Sequence, residues 1–326
     1  MDYWKDKKVF VTGCNGFLGS WLAKTLVDRG ARVTGLIRDE IHDSFLVSSG
    51  SVDKINLVYG VVQDYELIER VLNEHDIDTC FHLAAQAIVE VANRGPLSTF
   101  KTNIQGGWNI LEAARRCPDV KRIAIASSDK AYGSHNRLPY TEEFNLQGRH
   151  PYDASKSCLD ILAQMYFHTY GLPLAISRSA NIYGPGDLNF SRIIPDTIRA
   201  LILDQRPIIR SDGKFIRDYI FVQDAVESYL TLAEHLDRKQ IQGQAFNFGN
   251  QQPINVLDLV EKIIAISGKQ NLKPQILSTA KYEIKEQHLD TKKAQDVLKW
   301  RPQYSLDQGL RKTYAWYERY LNGEAK

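Results

Sequence analysis

The chain has 326 residues and nearly balanced charge, 41 basic against 39 acidic, for a net of +2. That balance supplies no broad basic field and argues against a nucleic-acid partner. With 43 % hydrophobic and 25 % charged residues it has the composition of an ordinary globular protein, long enough for a real core. No apolar run approaches a membrane span, and the polar start from Met1 to Lys8 lacks the apolar stretch of a secretory leader, so neither membrane nor export is expected.

The first half alternates strand and helix signals. Strands are predicted at Lys8–Thr12, Arg32–Ile37, Ile55–Tyr59, Thr79–Leu83, Arg122–Ala126 and Leu174–Arg178. Helices are predicted at Phe17–Arg29, Glu66–Glu74, Leu97–Arg116 and Tyr152–Tyr170. Short apolar runs between amphipathic helices imply a parallel sheet covered on both faces. The expected fold is therefore α/β, a Rossmann-type doubly wound parallel sheet whose ligand crevice lies at the carboxyl ends of its strands.

After Ser179 the pattern loosens. Helices are predicted at Arg192–Leu203, Asp224–Glu234, Val256–Ser267, Thr291–Leu298 and Leu306–Tyr320, with strands at Phe215–Phe221 and Gln244–Phe248. This divides the chain into a dinucleotide-binding domain, 1–179, and a smaller mixed α/β substrate lobe, 180–326, with a soft boundary that the chain is free to cross back over. Cys14, Cys80, Cys117 and Cys158 are scattered without a Cys-x-x-Cys, and the histidines show no ligand spacing. Free thiols, a reducing cytoplasm and no metal are expected.

The most informative segment runs from Val9 to Gly19. A β-prone run enters a glycine-rich turn that opens a helix, the arrangement that cradles a pyrophosphate on backbone N–H groups. Gly13, Asn15, Gly16, Phe17, Leu18 and Gly19 form this candidate cofactor loop. Asp39, about 20 residues beyond the last glycine, could accept bonds from the ribose hydroxyls and repel a 2′-phosphate, whereas neighbouring Arg38 could pair with that phosphate. The expectation is NAD(P), with NAD favoured. Asp64 suits either a hydrogen bond from the adenine amino group or a helix N-cap. Leu83, Ala84 and Ala85 end the fourth strand, and the small alanines would let the backbone pass close under the cofactor.

Tyr152 and Lys156 stand at i and i+4 at the start of a long helix and project from one face. A neighbouring ammonium and a nicotinamide cation would favour the phenolate and lower the phenol's ordinary pKa, making Tyr152 a candidate general base for a substrate hydroxyl.

These segments, together with Asn181-Ile182-Tyr183-Gly184-Pro185-Gly186, Leu289–Ala294 and Trp300-Arg301-Pro302, resemble the extended short-chain dehydrogenase/reductases that act on nucleotide sugars, over nearly the whole chain. The resemblance implies that Tyr152 is the base, Lys156 anchors the nicotinamide ribose and Ser128 assists. Ser127-Ser128-Asp129-Lys130 follows the fifth strand. Epimerases of the family usually carry a small or apolar residue where Asp129 sits, and the 4,6-dehydratases carry an acid that protonates the departing C6 hydroxyl. The Asp129-Lys130 pair resembles the CDP-glucose dehydratase group and, next, the UDP-N-acetylglucosamine dehydratases. Lys130 could act as a base, polarise the C4 oxygen or hold Asp129. The resemblance further implies a nucleotide-diphosphate hexose substrate met by Arg192 and Arg217 at the diphosphate, with Asn181 and Gln86 nearer the sugar, and a homodimer through the two long helices. A 4-epimerase, decarboxylase or 4-keto reductase are the alternatives within the fold. A non-catalytic NAD(P)-sensing or scaffold protein is the alternative outside enzymology.

Overall fold

The computed structural model describes residues 3–279 and 284–324. In chain order the first half runs β1 (Lys8–Thr12), α1 (Phe17–Asp28), β2 (Arg32–Ile37), α2 (Phe45–Ser48), β3 (Asn56–Tyr59), α3 (Tyr65–Glu74), β4 (Thr79–His82), α4 (Val89–Arg94), α5 (Pro96–Phe100), α6 (Gly106–Arg116), β5 (Arg122–Ala126), α7 (Pro151–Tyr170) and β6 (Leu174–Ser179). The second half adds β7 (Asn181–Tyr183), α8 (Ile193–Ile202), β8 (Ile208–Ile209), β9 (Ile216–Arg217), β10 (Tyr219–Phe221), α9 (Val222–Glu234), β11 (Ala245–Phe248), β12 (Ile254–Asn255), α10 (Val256–Ser267), β13 (Gln275–Ile276), β14 (Glu286–Gln287) and α11 (Leu306–Leu321).

Seven strands form one sheet in the order β11-β6-β5-β4-β1-β2-β3. Every neighbouring pair in it is parallel. Val9, Phe10 and Val11 are fully buried because helices cover both faces. One face packs α3, α6 and α7 around Ile68, Ile110, Leu159 and Ile176. The other packs α1 and α9 around Leu22, Leu26, Tyr229 and Leu230. Strand order reverses between β1 and β4, which places the ligand crevice at the carboxyl ends of β1, β4 and β5.

Ser179 is where the chain first leaves this sheet, and it then returns. β11 pairs in parallel with β6 as an edge strand, and α9 packs beneath the sheet. The 180–326 segment is thus shared between the two layers. Its remaining elements build a second core of α8, α10 and α11 around Ile198, Ile263, Leu310 and Tyr317. The start of α1 joins the two lobes, since Phe17, Leu18 and Trp21 lean on that second core and the Trp21 indole donates to the Pro185 carbonyl at 2.7 Å.

Three element predictions need correction, and in the first of them the run predicted as a helix at Thr291–Leu298 is mostly a π-helical turn at Ala294–Leu298. Phe215–Phe221 is not one strand. Asp218 breaks it, leaving β9 to pair with β12 and β14 while β10 pairs with β7. The buried Asp218 carboxylate accepts the backbone N–H groups of Tyr219 and Gln251, which turns the chain at that residue. Leu97–Arg116 is not one regular helix either. It divides into α5, a π-helical turn at Lys101–Gln105, and α6. A Cβ on Gly107 would lie 2.3 Å from Leu159 Cδ1, so this run packs closely on α7 and a larger residue there would require Leu159 to shift.

One buried ion pair ties the sheet to the catalytic end of the fold. Arg178 on β6 forks onto Asp160 of α7 with two bonds of 2.8 Å, and its third nitrogen reaches the Tyr132 hydroxyl at 2.9 Å. Both side chains are essentially inaccessible, at 3 % and 0 % exposure. Removing one partner of such a pair strands a buried charge. Arg178→Ala is expected to cost about 3–5 kcal/mol in denaturant unfolding, and a loss below about 1 kcal/mol would contradict this role.

Candidate active site

The cofactor loop follows β1. The Gly13 N–H donates to the Leu36 carbonyl of β2, and Gly13 sits at φ +70°, a left-handed conformation that favours glycine. A Cβ on Gly19 would fall 2.0 Å from the Gly13 carbonyl oxygen, so only glycine lets the helix start this close to the loop. The ladder of α1 begins with Ser20 N–H donating to the Gly16 carbonyl at 2.8 Å. The N–H groups of Phe17, Leu18 and Gly19 precede it, and Gly16 offers no side chain to cap them. That is the donor set a dinucleotide pyrophosphate requires. Asn15 donates to the Asp39 carbonyl at 2.7 Å, tying the loop to the end of β2. Arg38 and Asp39 pair with each other at 2.5 Å, and both are largely exposed. Asp64 caps α3 by accepting the Leu67 N–H at 3.0 Å, the structural one of its two roles.

The end of β4 passes beside this loop, since a Cβ on Gly13 would lie 3.0 Å from Cα of Ala84. Thr12, which the sequence reading did not single out, organises the crossing. Its Oγ1 accepts the N–H groups of Leu83 and Ala84 at 3.1 Å and contacts His82 Nδ1 at 2.9 Å. Burial pushes the His82 imidazole down to about 3, so it stays neutral. Asn103 was also missed. From the π-helical turn it accepts the Gln86 N–H at 2.7 Å and donates to the Gln86 carbonyl at 3.2 Å and to Ser155 Oγ at 2.9 Å. It thereby locks the strand end to α7. The Gln86 side-chain oxygen accepts the Ile88 N–H at 3.1 Å.

The catalytic candidates meet at the carboxyl end of β5. Ser128 caps a 3₁₀ turn, Asp129–Tyr132, and its hydroxyl donates to Asp129 Oδ1 at 3.0 Å. Asp129 is 3 % exposed, and its Oδ2 has no partner among the described residues. Burial holds its carboxyl above the usual range against the pull of Lys130, Ser128 and Arg217. Lys130 Nζ donates to Gln287 Oε1 of β14 at 3.0 Å. On α7, Lys156 is buried, donates to the Ala126 carbonyl at 2.6 Å and lies 6.0 Å from the Tyr152 ring centre. Burial pushes it down to about 8.

Within the protein alone the net shift of the Tyr152 phenol is upward. Burial raises it above its ordinary value, and a hydrogen bond with Ser128 draws it part of the way back. The Lys156 ammonium is turned to the end of β5 rather than to the phenol oxygen.

On the second lobe, Arg217 is buried in β9, donates to the carbonyls of Ile216 and Lys285, and exerts its charge on Asp129. Arg192, at the start of α8, pairs with buried Asp187 at 3.0 Å and exerts its charge on Tyr152. Asn181 donates to the Asp218 carbonyl at 3.1 Å. Serine, carboxyl, two ammonium groups and phenol thus gather at one strand end, with two arginines facing them from the other lobe.

A glycine-rich nucleotide turn on a doubly wound sheet, with a Tyr/Lys helix at the neighbouring strand end, defines a dinucleotide-dependent short-chain dehydrogenase/reductase. Residues 10–313 match the GDP-mannose 4,6 dehydratase family, and the chain belongs to that family. It is similar to the CDP-glucose 4,6-dehydratase of Salmonella typhimurium, with 28 % identity over 99 % of this chain and 94 % of that one. It is also similar to the dTDP-glucose 4,6-dehydratase of Xanthomonas campestris, with 30 % identity over 94 % and 92 %. Among solved structures, the dTDP-glucose 4,6-dehydratase DesIV of Streptomyces venezuelae, with NAD bound, superposes with a TM-score of 0.87 at 26 % identity, covering 97 % of this chain and 98 % of that one. A UDP-glucose 4-epimerase of Thermotoga maritima gives 0.85 at 28 % identity, covering 96 % and 99 %. Among the described residues, no helix is long and apolar enough to cross a membrane.

Proposed function

We propose that this protein is a nucleotide-sugar 4,6-dehydratase, with CDP-glucose the favoured substrate and UDP-N-acetylglucosamine next. The carrying observation is Asp129, a buried carboxyl with one oxygen held by Ser128 and the other unpartnered among the described residues. Burial raises that carboxyl above the usual range, which favours the neutral acid, the form that can protonate a leaving hydroxyl. The similarity to two curated dehydratases over nearly the full chain supports the same reading.

Gly13, Asn15, Gly16, Phe17, Leu18 and Gly19 would hold the pyrophosphate of NAD(P), Leu83–Ala85 would lie under it, and Lys156 would hold the nicotinamide ribose. When bound, the nicotinamide supplies the hydride acceptor for C4 and the hydride returned to C6. Tyr152 takes the C4 hydroxyl proton, and Ser128 bonds to the phenol and steadies the C4 oxygen. The resulting ketone acidifies C5, whose proton leaves to a base. Asp129 gives its proton to the C6 oxygen, which departs as water. Reprotonation at C5 completes a 4-keto-6-deoxy sugar. Arg192 and Arg217 bind the diphosphate, and Asn181 and Gln86 line the sugar side. NAD is preferred over NADP because Asp39 repels a 2′-phosphate and already occupies Arg38.

The test is incubation with NAD and CDP-glucose, UDP-N-acetylglucosamine, dTDP-glucose or GDP-mannose, followed by NMR of the product. A new C6 methyl signal is expected. A C4-inverted hexose with its C6 hydroxyl intact would instead establish the epimerase reading, which the Thermotoga maritima likeness makes the leading competitor.

The protein acts as a cytoplasmic homodimer. Its four cysteines are free thiols. The α5–α6 run packs along α7, and together they expose Leu97 (66 %), Trp108 (44 %) and Ile161 (56 %). Large apolar side chains grouped in this way mark a contact surface. Trp108→Glu combined with Ile161→Glu is expected to yield a folded monomer by sedimentation velocity, and an unchanged dimer would place the interface elsewhere.

A further inference from the structure

Gln287 stands where the proposed reaction does not account for it. It lies on β14, 157 positions along the chain from Lys130, and is fully buried. β14 pairs with β9 so that Gln287 stands opposite Arg217, which brings it to the Asp129 end of the site. Its Oε1 accepts from Lys130 Nζ at 3.0 Å. An ammonium can only donate, so the oxygen of the carboxamide must face Lys130 and the NH₂ must face the other way. That Nε2 is buried and has no partner among the described residues.

Among the described residues the site therefore holds, besides other unpartnered atoms, Asp129 Oδ2 and Gln287 Nε2, which are joined through adjacent Asp129 and Lys130. Leaving buried donors and acceptors unmade costs stability, and such groups persist where a ligand completes them. A hexose carries oxygens that accept hydrogen bonds, and its hydroxyls can also donate.

We propose that Gln287 has two jobs in the hexose site: its Oε1 positions Lys130, and its Nε2 donates to an oxygen of the bound hexose. This rests on the nucleotide-sugar reading above and adds a residue from the far C-terminal part of the chain to the sugar subsite. It also assigns Lys130 a fixed place, tethered at its nitrogen where its charge acts on the carboxyls of Asp129 and Asp153.

The experiment uses NAD-loaded enzyme, the sugar nucleotide from the four-member panel that wild type binds best, and the matching nucleoside diphosphate as a probe without sugar. Gln287→Leu removes both contacts. Gln287→Glu keeps an acceptor for Lys130 but loses the N–H. By calorimetry both variants should bind the sugar nucleotide about tenfold more weakly while binding the diphosphate as wild type does. At saturating sugar nucleotide, Gln287→Glu should retain most of the turnover that Gln287→Leu loses. A simple packing role would weaken both ligands alike and would not be rescued by glutamate. Unchanged sugar-nucleotide affinity in Gln287→Leu, or equal losses for both ligands, would overturn the proposal. If wild type dehydrates none of the panel while the sugar-specific loss of affinity still appears, the dehydratase reading fails and the assignment of Gln287 stands.

Discussion

Tyr152→Phe will lower turnover by about 10²–10⁴-fold, the range a positioned general base contributes, while leaving nucleotide-sugar affinity near that of wild type. The phenol is partly buried on α7 with burial holding its proton on, and within the protein Ser128 and the charge of Arg192 ease it off. Phenylalanine keeps the ring and its packing and removes only the group that accepts the C4 proton. Oxidation at C4 precedes every later step, so no reduced nicotinamide should accumulate at 340 nm and no C6 methyl should form. Wild-type turnover in this variant would remove Tyr152 from the chemistry and leave the non-catalytic reading of the fold in its place.

Asp129→Asn should separate the two halves of the reaction. Asparagine preserves the size of the side chain and can still meet Ser128, but it cannot give up a proton as a carboxylic acid does. C4 oxidation should continue and show as absorbance at 340 nm. Loss of water from C6 should fall by at least about 10²-fold, so the reduced form persists in single-turnover traces. Full-rate formation of the C6 methyl by this variant would refute the acid role. The wild-type pH dependence follows from the same carboxyl. Burial raises its pKa, so the protonated acid survives to higher pH than an exposed aspartate would allow, and elimination should decline as pH rises through that value. C4 oxidation, which needs the phenol deprotonated, should move the opposite way, and stopped-flow traces at several pH values would show whether the two phases diverge.

Much of the site was readable because it is local. The glycine loop is a strand, a turn and a helix start within a dozen residues, and its glycines answer to contacts inside that unit, as the 2.0 Å approach at Gly19 shows. Ser128, Asp129 and Lys130 are consecutive, and Tyr152 and Lys156 are one helical turn apart. The apolar periodicity of α7 and α10 likewise placed both helices to within a residue. Reading failed where a side chain serves a distant segment. Thr12 looks like the last residue of a strand until β4 comes alongside it. Asn103 looks like a polar position in a helix until the π turn directs it to Gln86 and Ser155. Asp218 looks like part of a strand until the 251 loop brings a donor to its carboxylate.

By itself, the amino-acid order determined the alternation of strands and helices, the nucleotide turn, and the residue types gathered at the end of β5, since each depends on hydrophobic period, turn chemistry or adjacency along the chain. Only the tertiary structure decided that β11 returns to complete the sheet, that Lys156 turns toward Ala126 rather than the phenol, and that Arg217 and Gln287 reach the Asp129 site. Those outcomes depend on which surfaces are buried together and on which donors then lack an acceptor, and neither is fixed until segments 30 to 157 residues apart have packed.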